Sequence, residues 1–273
     1  MLARLARFVP TPVVRLAVRA MAAFPALRPG LERLAGAIAA GEGTVQRGVG
    51  KGLRFRADVA VAGYRLGTTE PEFQRALARH VRPGAVVYDL GANVGFYTVI
   101  CARLAGAEGR VVAVEPFPPS AQAVRHNAGL NGFDTVTVVE AAVGAGPGRA
   151  WLSTERGDPV TFRLDDGRAG AGVEVDVTSV DALVAAGHPP PDVVKVDVEG
   201  AETAALRGMA ETLAAHRPVV LVEVHHAVSD FPDAVAELAE PLGYRASVLG
   251  GGPMPRGGTR AHVLLEPPTS PRG

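Results

Sequence analysis

The sequence predicts a doubly wound α/β domain on a mostly parallel sheet, and three observations predict it. From residue 85 onward, short valine-rich runs alternate with segments of helical periodicity, the rhythm of successive βαβ units. Runs such as Val86–Leu90, Val111–Glu115 and Val219–Val224 are almost continuously apolar, as strands covered on both faces are. Finally, a glycine-rich turn, Asp89-Leu-Gly-Ala-Asn-Val-Gly95, joins the first run to the first helix.

The elements follow in order. Residues 1–43 form an N-terminal helical extension, cut into short pieces by Pro10, Pro12, Pro25 and Pro29. Within residues 1–40, six arginines face a single acid, Glu32. It lacks the serines of a transit peptide, and Arg15 and Arg19 interrupt the apolar region a secretory signal needs. These helices are expected to pack on the main domain, or to cover a greasy substrate or touch a membrane surface peripherally through residues 1–40. Residues 44–84 read as a hairpin around Gly48-Val-Gly-Lys-Gly52 and a lead-in helix from Pro71, together covering the site. The α/β domain spans 85–266, with strands at 86–90, 111–115, 136–140, 192–197 and 219–224. Helices are expected at 96–105, 119–131, 201–213 and 230–241. An inserted β-meander occupies 149–178, a closing hairpin is expected from 244–249 and 262–266, and 267–273 is a Pro-rich tail.

Composition excludes several classes. The 273 residues are 47% apolar and 21% charged, ordinary for a globular protein. Formal net charge is zero, which argues against a general nucleic-acid binder. No stretch near membrane-spanning length is free of charge, so no transmembrane helix is expected. The lone cysteine, Cys101, lies in an apolar run, and a buried thiol in a reducing, cytoplasmic compartment fits it.

The turn at residues 89–95 carries the chemistry. Glycines there let the backbone bend sharply and approach a ligand. Glu115 ends the next strand about 20 residues later, where an acid bonds ribose hydroxyls in dinucleotide folds. A pyrophosphate, however, wants bare N–H groups and a positive helix end. Asp89 would oppose it and favour the cationic head of S-adenosylmethionine (SAM). The spacing is also Gly-x-Asn-x-Gly, not Gly-x-Gly-x-x-Gly. An NAD(P)-dependent oxidoreductase on a similar sheet is thereby disfavoured, and a SAM-binding protein without catalysis is the other alternative.

A second cluster lies at a strand end. In Asp192-Val-Val-Lys-Val-Asp-Val-Glu-Gly200, alternation puts Lys195, Asp197 and Glu199 on one face and Val194, Val196 and Val198 on the other. Ligands of open α/β sheets bind at carboxyl strand ends, which places Asp197 and Glu199 at the mouth. Lys195 lies deeper and, if buried, needs a carboxylate partner. The next strand ends in Glu223-Val-His225, a candidate general base near neutrality. Carboxylates suit Mg²⁺, but with no clear third ligand no metal is assigned.

These residues resemble the FkbM-type methyltransferases. The resemblance rests on Tyr64–Glu70, on Asp89-Leu-Gly-Ala-Asn-Val-Gly-Phe-Tyr-Thr98, on Glu115-Pro116, and on Lys195-Val-Asp-Val-Glu-Gly-Ala-Glu202 with Glu223-Val-His225 following. It implies a class I methyltransferase (Rossmann-like) fold, with a seven-stranded sheet containing one antiparallel strand, and SAM as methyl donor. It implies that Asp89, Gly91, Asn93 and Gly95 line the methionine end of SAM, with Ala92 and Thr98 in the same stretch. Glu115, followed by Pro116, would hold the ribose. Ala141 and Ala142 would lie near the adenine, Glu70 would close over the cofactor, and Asp197 would border it. The expected reaction is transfer of a methyl group to a hydroxyl of a small molecule, a natural product or sugar. His225, Asp197 or Glu199 would take the proton, with Lys195 in the same catalytic cluster.

Overall fold

A computed structural model describes residues 41–56, 62–153, 163–165 and 172–268. The expectations for residues 1–40, the tip of the insertion and the tail from 269 lie outside these. The chain divides into two compact units, Met1–Thr69 and Glu70–Gly273.

In the first unit, β1 (Glu42–Thr44) pairs antiparallel with β2 (Arg54–Arg56). Left-handed Gly48 and Gly52 let the connecting turn close. A short helix, α1 (Ala62–Leu66), follows, and Tyr64 meets the Phe55 ring edge-on, with centroids 6.2 Å apart.

The second unit begins with α2 (Pro71–His80), with Pro71 in its first turn. The boundary at Thr69–Glu70 puts this helix with the main sheet and not with the hairpin, because it packs on a helix and a strand of that sheet. Then come β3 (Val86–Leu90), α3 (Phe96–Ala105), β4 (Arg110–Val114), α4 (Pro118–Leu130) and β5 (Val136–Val139). The insertion forms β6 (Ala142–Val143), β7 (Gly148–Ser153), β8 (Arg163–Asp165) and β9 (Gly172–Thr178), a separate sheet in the order β6-β9-β7-β8. A helix that the hydrophobic pattern did not reveal, α5 (Val180–Ala185), is capped by Ser179, whose Oγ accepts the Ala182 N–H. β10 (Val193–Val196) leads to α6 (Glu202–Arg207) and α7 (Ala210–His216).

The single helix expected over 201–213 is broken at Gly208, where a side chain would run into the Gly144 carbonyl. Asp181 accepts the Glu211 and Thr212 N–H groups and so caps α7 from a different helix. The chain ends with β11 (Val219–Val224), α8 (Phe231–Leu238), β12 (Arg245–Val248) and β13 (Ala261–Glu266).

The main sheet has seven strands in the order β12-β13-β11-β10-β3-β4-β5. β13 runs antiparallel to both neighbours, and the remaining pairs are parallel. This is the class I methyltransferase arrangement, doubly wound and Rossmann-like. Alternation along the strands sorts the two faces. Tyr88, Leu90, Val112, Val194, Val196, Val220 and Val222 pack with residues of α5 to α8 in the largest core cluster. Asp89, Ala113 and Lys195 point to the other face, where Val124 of α4 packs on Ala113 and Thr98 of α3 bonds Asp89. Among the described residues no helix is long and apolar enough to cross a membrane. Cys101 is buried on α3, and burial pushes its thiol far above the ordinary range.

Candidate functional site

The glycine-rich turn is built to bring backbone close to backbone. The Gly91 and Ala92 N–H groups both donate to the Val114 carbonyl, which ties the turn to β4. Gly91 has φ +71°, and a side chain there would run into the Asp197 carbonyl of the neighbouring strand end. Asn93 is also left-handed, at φ 51°, and Gly95 at φ 87° opens α3. Glu115 braces the turn from β4. Its Oε2 accepts the Asn93 N–H at 2.7 Å, and its Oε1 accepts the Phe117 N–H at 3.0 Å. Burial pushes this carboxyl up to about 7, against the two N–H bonds that favour its charge.

Beneath the turn the charges are paired. Asp89 is wholly buried, with Oδ2 accepting from Thr98 Oγ1 at 2.6 Å and Oδ1 lying 3.0 Å from Lys195 Nζ. Lys195 donates further to the Gly91 carbonyl at 2.7 Å and the Leu90 carbonyl at 3.3 Å. Its ammonium also sits 5.6 Å from the Tyr97 ring centroid.

A cleft open to solvent lies over the turn. Gly91, Asn93, Glu115 and Pro116 line one side. Ala142, Val143 and Leu152 line another, and Asp197, Val198 and Glu199 close the strand end. Among the described lining residues there are three carboxylates and no lysine or arginine.

Several expected residues therefore fall elsewhere. Asp89 does not face the cleft. Buried and paired with Lys195, it cannot be the charge that repels a phosphate, and Asp197, Glu199 and Glu115 take that place. Thr98 is spent on Asp89. Ala92 packs in a small core with Ala113 and Val124, and Ala141 is part of the large core, which leaves only Ala142 of the expected alanine pair at the cleft. Glu70 bonds Tyr97 Oη at 2.6 Å and Arg260 Nη2 at 3.2 Å and does not line the cleft. Lys195 is held entirely by protein groups, away from it. Leu152 was not foreseen, because nothing local in the insertion marks it. Val114, one residue before Glu115, also borders the cleft, although alternation assigns it to the core face with Val112.

Beside the cleft, strand pairing brings the second cluster together. β10 and β11 are parallel neighbours, so the residues after Val196 and Val222 meet. The buried His225 ring has Nδ1 2.6 Å from Glu202 Oε1 and Nε2 3.1 Å from Glu199 Oε2. Asp197 Oδ1 and Glu223 Oε1 lie 3.8 and 3.9 Å from the same Nε2. Burial opposes a charge on this imidazole, but the hydrogen bonds to Glu199 and Glu202 outweigh it and push it up to about 10. Burial also raises Asp197, with Lys195 and His225 pulling the other way. Glu202 sits behind His225, and its Oε1 also accepts the Gly200 N–H at 3.0 Å, which pins the turn at residues 199–200. Glu223 is nearly fully buried and ion-pairs with Arg260. Glu202, Arg260 and His262 join this group without having been assigned roles from sequence; only their partners' positions reveal them.

Several known proteins match parts of the chain. Residues 89–246 match the Methyltransferase FkbM domain family. The hexuronic acid methyltransferase AglP of Haloferax volcanii is 30% identical over 172 residues, 63% of this chain and 68% of that protein. A ribosomal protein L11 methyltransferase of Pelotomaculum thermopropionicum is 48% identical over 58 residues, 21% of this chain and 18% of that protein. Among solved structures, a methyltransferase FkbM of Methylobacillus flagellatus superposes with a TM-score of 0.48 at 18% identity. That superposition covers 75% of this chain, which spans about half, 52%, of that one.

Proposed function

The chain belongs to the FkbM methyltransferase family, and on that premise we propose that it transfers a methyl group from SAM to a hydroxyl of a small molecule. The observation that carries this reading is the charge of the cleft, whose described lining holds three carboxylates and no cationic side chain. Such a wall attracts a sulfonium and an ammonium and repels a pyrophosphate. The residues present fit SAM. Glu115 spends one hydrogen bond on each oxygen, so lone pairs remain for ribose hydroxyls. Ala142, Val143 and Leu152 offer an apolar wall for an adenine, and Asp197 and Glu199 face the end where a cationic head would lie. Glycine at 91 keeps the floor of the cleft clear of side chain.

SAM supplies an already activated methyl group on its sulfonium, so the protein's task is mostly positioning. An acceptor hydroxyl must also lose a proton. Both nitrogens of His225 already face carboxylates, which leaves the imidazole no free lone pair toward the cleft. Asp197 and Glu199 reach the cleft surface, and we assign proton acceptance to them, with His225 holding Glu199 in place. The acidic wall also favours a neutral hydroxyl over a carboxylate ion as acceptor. The named substrate class of the Haloferax volcanii relative directs the first screen to sugars, with sugar acids included to test whether a hydroxyl or the carboxylate is the acceptor.

Calorimetric titration with SAM, with NADH as control, tests the reading. Micromolar binding of SAM that weakens in Glu115→Ala is expected. Binding of NADH in its place would overturn the assignment.

A further inference from the structure

The sequence places two carboxylates at the end of β10 and offers no clear third ligand there. The fold supplies the missing ones from β11. One oxygen each of Asp197 and Glu223 and one ring nitrogen of His225 lie within 4.8 Å of one another. Glu199 Oε2 lies beside this group, 3.1 Å from His225 Nε2. A metal held at 2.0–2.2 Å sets its ligand atoms roughly 3 to 3.6 Å apart, so spacings of 3.1, 3.8 and 3.9 Å around Nε2 need only a small contraction.

A second observation is independent of that spacing. Glu202 is wholly buried against His225, and its Oε2 has no hydrogen-bond partner. Its Oε1 holds His225 Nδ1 at 2.6 Å, the backing that fixes a ligating imidazole with its other nitrogen toward a metal. Charge points the same way. Asp197, Glu199, Glu202 and Glu223 surround one imidazole. Lys195 is 3.6 Å from Asp197 but is shared with Asp89, and Arg260 on Glu223 is half-exposed. Even with His225 protonated, the four carboxylates, two of them buried, outnumber the cations given over to them, which favours further positive charge.

We propose that Asp197, Glu223 and His225, with Glu199 beside them, form a divalent-cation site at the mouth of the cleft. Two carboxylates and one imidazole, with a further carboxylate at the edge, suit Mn²⁺ or an ion of similar preference. On loading, Arg260, which pairs with Glu223 from the rim, would give way, and the ion would displace the Nε2 proton of His225 to solvent. A cation held there would meet an incoming hydroxyl beside Asp197 and Glu199 and raise its acidity. Its effect on a hydroxyl rests on the methyl-transfer reading, with Asp197 and Glu199 then facing the ion, whereas its occupancy is tested without SAM or acceptor.

The test is titration of chelator-treated full-length protein with MnCl2 alone, free Mn²⁺ being followed by electron paramagnetic resonance. One ion per chain is expected, bound well below ~1 mM, the weak end of protein cation sites. His225→Asn and Glu223→Gln should each weaken binding about tenfold or more. Because these residues are buried, Asp197→Asn and Glu199→Gln at the rim serve as second variants, with folding verified by near-UV circular dichroism, and they should weaken binding as well. His226→Asn, altering the exposed neighbour, should leave binding unchanged. No binding up to about 1 mM, or binding that folded Asp197→Asn and Glu199→Gln proteins retain in full, overturns the proposal.

Discussion

Lys195 and Asp89 face each other across β10 and β3. Their Cα atoms are register partners, their side chains are buried, and Nζ lies 3.0 Å from Oδ1. Through the Gly91 and Leu90 carbonyls the same ammonium holds the start of the glycine-rich turn. One ion pair therefore couples the floor of the cleft to the strand that ends in Asp197.

Removing one partner should be costly. Lys195→Met leaves a buried carboxylate without its cation, a change worth about 3–5 kcal/mol. The double variant Asp89→Asn/Lys195→Met should lose less than the sum of the single changes. Urea denaturation of the four proteins measures the cycle, and simple additivity would show that the two groups are not coupled.

Glu115 gives a pH dependence with opposite signs for folding and ligand binding. Its carboxyl is raised in the folded state from 4.5 to about 7. The fold prefers its protonated form, so this contribution to stability is complete below pH 4.5 and is lost as pH rises through about 7. At most it amounts to about 3 kcal/mol. A carboxylate accepts ribose hydroxyls better than a carboxylic acid does, so SAM affinity should rise over the same window. Thermal melts and calorimetry between pH 5 and 8 read both trends, and Glu115→Gln should flatten them together.

Leu152 links the inserted sheet to the cleft. It is buried in a cluster with Ala142 and Val175 while also lining the cleft. Leu152→Ala should cost about 2–5 kcal/mol of stability by leaving a cavity. SAM affinity should fall about tenfold with loss of the apolar wall, a change of about 1.4 kcal/mol. Unaltered affinity in a destabilised protein would place the adenine elsewhere.

Glu199 is expected to act on turnover more than on binding. With an acceptor in hand, Glu199→Gln should lower kcat by about 100-fold, the scale of a lost proton acceptor. Steady-state kinetics together with SAM calorimetry separate the two effects. An unchanged kcat would move proton acceptance to Asp197 or make it unnecessary.

The sequence by itself determined the strands, most helices and the turn, because each is written locally. Valine runs mark strands buried on both faces, and glycine at 91 and 95 marks left-handed backbone. Alternation also put Lys195 and Asp197 on one face of their strand, and burial required the lysine to have a carboxylate. The carboxylate's identity was not local. Only the parallel register of β10 against β3 chose Asp89, and that choice withdrew Asp89 from the cleft. The break at Gly208 likewise depends on the distant Gly144 carbonyl. The surroundings of His225 were decided by tertiary structure for the same reason. Its protonation and its partners follow from Glu199, Glu202, Asp197 and Glu223, which the crossing from β10 to β11 brings within a few ångströms. Electrostatic energies depend on distance and burial, and neither is a property of spacing along the chain.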